Sequence, residues 1–99
     1  MSANLMVDIE SLGKAPDGII LSIGACQFDP VKDFLVDSKT DTFYVNISIE
    51  SSMENGFSIN PETLLWWLNQ SDDARKQIQV EPKPLDAAIG SFYDWMNQY

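Results

Sequence analysis

The chain changes hydrophobic period once, near Glu50, and that change restricts its fold more than any other feature. Before Glu50 the apolar pattern is that of strands, alternating over residues 4–10 and 42–49 and nearly continuous over 19–28, and after it apolar residues recur at every third or fourth position. Over residues 4–10, Leu5, Val7 and Ile9 fall on one face of a strand and Met6, Asp8 and Glu10 on the other. Residues 13–18, with Pro16 and the pair Asp17-Gly18, have turn chemistry. The nearly continuous apolar run to Phe28 reads as a strand covered on both faces, central in its sheet. Asp29-Pro30 ends it, a polar loop runs to Asp41, and alternation resumes through Phe43, Val45, Ile47 and Ile49. Strands at 4–10, 18–28 and 42–49 with short connections predict a three-stranded antiparallel meander.

Helical signals fill the remainder. Residues 51–55 suit one short turn, and Asn60-Pro61 is a helix start, with Asn as N-cap and Pro at the first helical position. The helix over 61–70 carries an apolar stripe of Leu64, Leu65, Trp67 and Leu68. Ser71-Asp72-Asp73 begins a second helix, over 72–79, whose acids suit the helix dipole and whose Arg75 and Lys76 read as a solvated face. A third, over 84–99, places Leu85, Ala88, Ile89, Phe92, Trp95, Met96 and Tyr99 on one side. Its apolar face is expected to run to the last residue without a Gly or Asn cap.

Ninety-nine residues, 44% hydrophobic, fit one domain with a modest core. The single cysteine, Cys26, closes no internal disulfide and sits in an apolar run as a small buried thiol, so a reducing, cytoplasmic setting is expected. The first residues carry no basic flank, apolar h-region or small-residue cleavage site, and no apolar run approaches the roughly 18 residues of a membrane span, so neither an export route nor a membrane partner is expected. The absence of histidine excludes Ser/His/Asp and Cys/His nucleophilic sites and histidine-ligated metals within the chain. A net charge of −9 argues against binding nucleic acid through Lys and Arg alone, although a bound divalent cation reverses that logic locally.

The carboxylates that stand out are Asp8 and Glu10, two positions apart on one strand face. Alternate side chains line one face, so the pair can share a cation, and all-oxygen donors suit Mg²⁺ or Mn²⁺ better than zinc. Without a cation, like charges close together oppose each other's ionisation. The spacing also fits a second reading, in which both acids face water from an exposed edge strand and guard it against aggregation. Trp66 and Trp67 fit core packing or a groove wall better than a base-stacking platform.

With these residues in place, the chain resembles the DEDD superfamily of 3′-5′ exonucleases, closest to its branch of phage exonuclease A-like and 3′-5′ exoribonuclease-like proteins. The resemblance rests on Asp8-Ile-Glu10-Ser-Leu-Gly13, on Ile20-Leu-Ser-Ile-Gly-Ala25, and on Ile59-Asn-Pro-Glu-Thr-Leu-Leu-Trp-Trp67 followed by Asn69-Gln-Ser-Asp-Asp-Ala-Arg75. It implies an α/β, ribonuclease H-like fold whose first three strands are antiparallel. It implies catalytic and metal-binding roles for Asp8 and Glu10, with Asp8 bridging two divalent ions and Glu10 ligating one. Main-chain groups around Ser11 and Leu12 would lie against the terminal nucleotide, and the reaction would be two-metal hydrolysis of a phosphodiester at the 3′ end of single-stranded DNA or RNA.

The family also uses two later aspartates, one in a Phe-Asp motif and one after a His or Tyr general base, and neither motif occurs in these residues. The chain is therefore expected to be the N-terminal part of a longer exonuclease domain, weakly active or inactive by itself. Its missing partner would be the C-terminal part of the domain or a second copy. The competing expectation is a non-catalytic interaction module derived from an exonuclease, assembling through an exposed strand edge.

Overall fold

The computed structural model describes residues 4–14, 16–28 and 41–99. The polar loop expected before Asp41 lies outside them. Strands β1 (Asn4–Ser11), β2 (Ile20–Phe28) and β3 (Thr42–Asn46) form one antiparallel sheet in the order β1-β2-β3. Four helices follow: α1 (Ile49–Glu54), α2 (Pro61–Leu68), α3 (Asp72–Gln77) and α4 (Leu85–Met96). This is the α/β meander-then-helices order that the change of period predicts, with β2 in the centre.

Pairing fixes which side chains share a face. Asp8 stands opposite Gly24, which stands opposite Tyr44; Glu10 stands opposite Ser22, which stands opposite Asn46. The alternate rows are Ile9, Ile23 and Val45, then Val7, Ala25 and Phe43. α4 packs on these apolar rows: Leu85 and Ala88 join Ile23, Val45 and Ile47 in one buried cluster, with Phe43 and Phe92 against it. A second cluster, Leu12, Ile19, Leu21 and Trp67, sits between the β1–β2 turn and α2, and Phe57 touches both.

That turn depends on two glycines. A Cβ on Gly13 would lie 2.2 Å from the Gly18 Cα and 2.7 Å from the Ser58 carbonyl oxygen, and one on Gly18 would lie 2.5 Å from the Gly13 carbonyl carbon. Only glycine lets the backbones approach this closely. The segment before α2 is then sewn to the turn. Ser58 donates its N–H to the Asp17 carbonyl at 2.8 Å and its hydroxyl to the Asp17 carboxylate at 2.9 Å. Ile19 N–H donates to the Ser58 carbonyl at 3.0 Å, and Asn60 N–H to the Leu12 carbonyl at 2.8 Å. The start of α2 is thereby fixed beside the end of β1.

Three expectations are corrected, and β1 adds a finding of its own. β3 ends at Asn46 rather than at 49, because Ser48 turns the chain as N-cap of α1, accepting from the Ser51 N–H at 3.2 Å. α4 ends at Met96, not at 99, and does have an asparagine cap: Asn97 N–H donates to the Tyr93 carbonyl at 3.0 Å. α2 buries Trp67 alone of its expected stripe, leaving Leu64, Leu65 and Leu68 exposed, since it lies on the turn rather than across the sheet. β1 does not bury its apolar face, for Val7 and Ile9 remain 45% and 50% exposed. The helix packed on that face sits over β2 and β3, so the edge strand is left uncovered.

Candidate active site

Asp8 is exposed and Glu10 half-buried at the open edge of the sheet, on the face opposite α4. Opposite Asp8 is Gly24, where an added Cβ would reach only ordinary contact, 3.6 Å from the Tyr44 ring and 3.9 Å from the Asp8 carbonyl oxygen. The strip of sheet next to Asp8 is therefore flat and open. The Tyr44 hydroxyl is turned away into a 2.9 Å hydrogen bond with the Asn46 side-chain oxygen.

Beyond Glu10, a β-bulge between Glu10 and Ser11 breaks the register and re-aims the end of the strand. There a cleft of about 420 Å³ opens between β1 and α2. Ile9, Glu10 and Ser11 form one wall and Glu62, Thr63, Trp66 and Trp67 the other. Local sequence sets the helical wall. Asn60 accepts from the Thr63 N–H at 3.1 Å with Pro61 behind it, so the first turn presents Glu62 and Thr63 to the cleft.

The adjacent tryptophans divide the work of that wall. Trp67 is buried and donates its indole N–H to the Ser11 carbonyl at 2.8 Å, locking α2 to the strand that carries Glu10. Trp66 packs edge-to-face on it, with ring centroids 5.1 Å apart, and remains 55% exposed along the cleft. A free indole face beside a polar strand end can hold a flat, aromatic ligand group.

Ser11 lines the cleft, its hydroxyl donating to the Gly13 carbonyl at 3.2 Å. Leu12 is placed differently. Its side chain belongs to the second core cluster, its N–H donates to the Ile19 carbonyl at 2.9 Å and its carbonyl accepts from Asn60 at 2.8 Å. Leu12 thus braces Ser11 from behind, with both main-chain groups already partnered. Glu62 was not among the sequence candidates. Its signal was the Asn60-Pro61 start, which dictates the phase of α2, but only the packing of Trp67 shows that this phase aims Glu62 at Glu10's side.

Two carboxylates on one rigid strand face offer the hard oxygen donors that Mg²⁺ and Mn²⁺ prefer. Among the described residues no group of three His, Cys, Asp or Glu side chains is gathered closely enough to hold an ion. Among the described residues no helix is long and apolar enough to cross a membrane.

Over 101 aligned residues the chain is 24% identical to an exodeoxyribonuclease of Enterobacteria phage T4, a match covering 97% of this chain and 44% of the phage protein. The chain thus spans less than half the length of that relative. No solved structure matches it significantly. The profile of one family does match, over residues 3–99, taking in the β1 carboxylates, both walls of the cleft and every element of the fold. On that match the chain belongs to the family of the 3′-5′ exoribonuclease Rv2179c-like domain.

Proposed function

We propose that the chain supplies the first-strand part of the active site of a metal-dependent 3′-5′ exonuclease, which hydrolyses the terminal phosphodiester of single-stranded nucleic acid. The observation that carries this reading is the position of Asp8 and Glu10 on one face of β1, with Glu10 lining a cleft that has an exposed tryptophan wall. Asp8 and Glu10 are the proposed ligands of Mg²⁺ or Mn²⁺. When bound, such ions activate water and neutralise charge on the phosphate under attack, which lets an acidic protein act on a polyanion.

The chain's own residues hold and orient. β1 fixes the spacing of the two carboxylates. Ser11 lies against the terminal nucleotide, Trp66 offers its free face to the terminal base, and Trp67 keeps both at a constant separation through the Ser11 carbonyl. Two carboxylates leave the coordination of two ions incomplete, so full activity requires further acidic ligands. The 99-residue chain alone is therefore expected to be weakly active at most.

Metal binding tests the reading without relying on turnover. Mn²⁺ titrated into the chain and followed by electron paramagnetic resonance should bind weakly, with a dissociation constant on the order of 10⁻³ M. Asp8→Ala and Glu10→Ala should each abolish that binding. Any mononucleotide released from a 3′-labelled strand should likewise require Mn²⁺ and vanish in Asp8→Ala. Metal binding or release that persists in Asp8→Ala would overturn the assignment.

A further inference from the structure

The cleft has a charge problem that metal ions at Asp8 and Glu10 do not fully solve. A strand whose 3′ end reaches Glu10 must lay its next phosphates across the rim, in a protein of net charge −9. Among the described residues no lysine or arginine lines the cleft, and its helical wall adds another carboxylate, Glu62. With one exception, no ion pair or hydrogen bond joins a described cation to a residue of the cleft. Arg75 is paired with Asp72 and donates to the Leu68 carbonyl, and Lys83 lines a separate concavity with Tyr44 and Glu81.

Lys14 is the exception. Its ammonium lies 3.6 Å from the Glu62 carboxylate, the one ion pair that a cleft residue makes among the described residues. It follows the Gly13 turn, which is fixed by its close contact with Gly18 and Ser58, so the base of its side chain is anchored while the head is free. The pair is loose and wet, with the Lys14 and Glu62 side chains 67% and 85% exposed. Such a pair contributes little to stability and exchanges readily for a better anion. A phosphate diester is that better anion only once a strand enters the cleft.

We propose that Lys14 is the phosphate-holding residue of this cleft, parked on Glu62 in the free protein and transferred to a backbone phosphate of the bound strand. This rests on the exonuclease reading above and names the residue that positions the strand rather than one that takes part in hydrolysis. Glu62 then has a second consequence. By competing for the same ammonium it raises the threshold for binding, so that short or non-specific anions do not hold the cleft.

The test is the salt dependence of strand binding, measured on the full chain by fluorescence anisotropy with 5′-labelled oligouridylate and oligothymidylate, Ca²⁺ replacing Mg²⁺. Each phosphate contact to a single strand contributes about −0.7 to the slope of log K against log salt. Lys14→Gln should weaken binding roughly fivefold and make that slope shallower by about 0.7. Lys14→Arg should retain the slope, and Glu62→Gln should tighten binding at unchanged slope. An unchanged slope in Lys14→Gln overturns the proposal while leaving the exonuclease reading intact. Failure of the unsubstituted chain to bind either strand, with or without Ca²⁺, overturns both.

Discussion

Trp66 and Trp67 are neighbours with the same side chain, yet α2 gives them opposite surroundings, and the difference comes from one hydrogen bond and a core contact. Trp67 is 7% exposed, packed on Leu12, Ile19 and Leu21, and its indole N–H satisfies the Ser11 carbonyl. Trp67→Phe keeps most of the apolar volume but leaves that carbonyl without its partner. A loss of about 1–3 kcal/mol is expected from chemical denaturation. Trp66→Ala removes an exposed ring and should change stability by no more than about 0.5 kcal/mol. The same substitution should weaken strand binding, and a stability loss larger for Trp66→Ala than for Trp67→Phe would contradict this division.

At the scale of elements, α3 is the weakly held helix. It buries no residue of its own; its acids at the start and bases at the end suit its dipole, and Arg75 adds only an exposed hydrogen bond to the Leu68 carbonyl. Its attachment comes from the sheet instead. Asn46, 4% exposed on β3, donates through one side-chain amide to the Gln77 carbonyl at 2.7 Å and the Val80 carbonyl at 2.8 Å, and accepts from Tyr44. Those are the carbonyls at and just beyond the end of the helix, which have no partner within it. Asn46→Ala should therefore free one element rather than unfold the chain. Amide exchange over residues 72–80 should accelerate well before that of β2, and uniform acceleration across both would show that α3 is held some other way.

At the scale of the whole molecule, the last residues are tied back to the sheet through Asp41. Its carboxylate accepts from the Trp95 indole at 3.2 Å and from the Tyr99 hydroxyl, while its main chain accepts from Gln27 at the end of β2. Phe43, Phe92, Trp95 and Tyr99 pack as one aromatic group around it. The hydrogen bond to Asp41, with burial and the carboxylate's charge adding to it, pushes the Tyr99 hydroxyl up to about 12 from 10.0. The folded chain then holds this proton more tightly than the unfolded chain does. Its contribution to stability is complete below about pH 10 and is lost as pH rises through about 12. Phenolate absorbance should keep rising toward that pH, and Asp41→Asn should remove the late component. A titration unaffected by Asp41→Asn would mean that the carboxylate does not hold Tyr99.

The fold was largely legible because period is a local property. Alternation in β1 and β3, the continuous run of β2 and the Asn60-Pro61 start each fix backbone type within a few residues. The end of β3 was not legible, since Ile47 and Ile49 continue the strand pattern while Ser48 between them caps a helix. Asp8 and Glu10 could be singled out because two acids on a strand face are expensive without a partner. Their cleft could not, because it depends on where α2 is docked.

By itself, then, the sequence determined the order of elements, the shared face of Asp8 and Glu10, and the glycine turn that ends β1. Only the tertiary structure decided which side chains those carboxylates meet. Docking α2 through Trp67 and Ser58 brings Glu62, Trp66 and, through Glu62, Lys14 to one rim, although Glu10 and Trp66 stand far apart in the chain. The physical reason is range. Alternation and capping act over a few residues, whereas a cleft is made where two elements stop short of each other, and that distance is set by packing across the whole core.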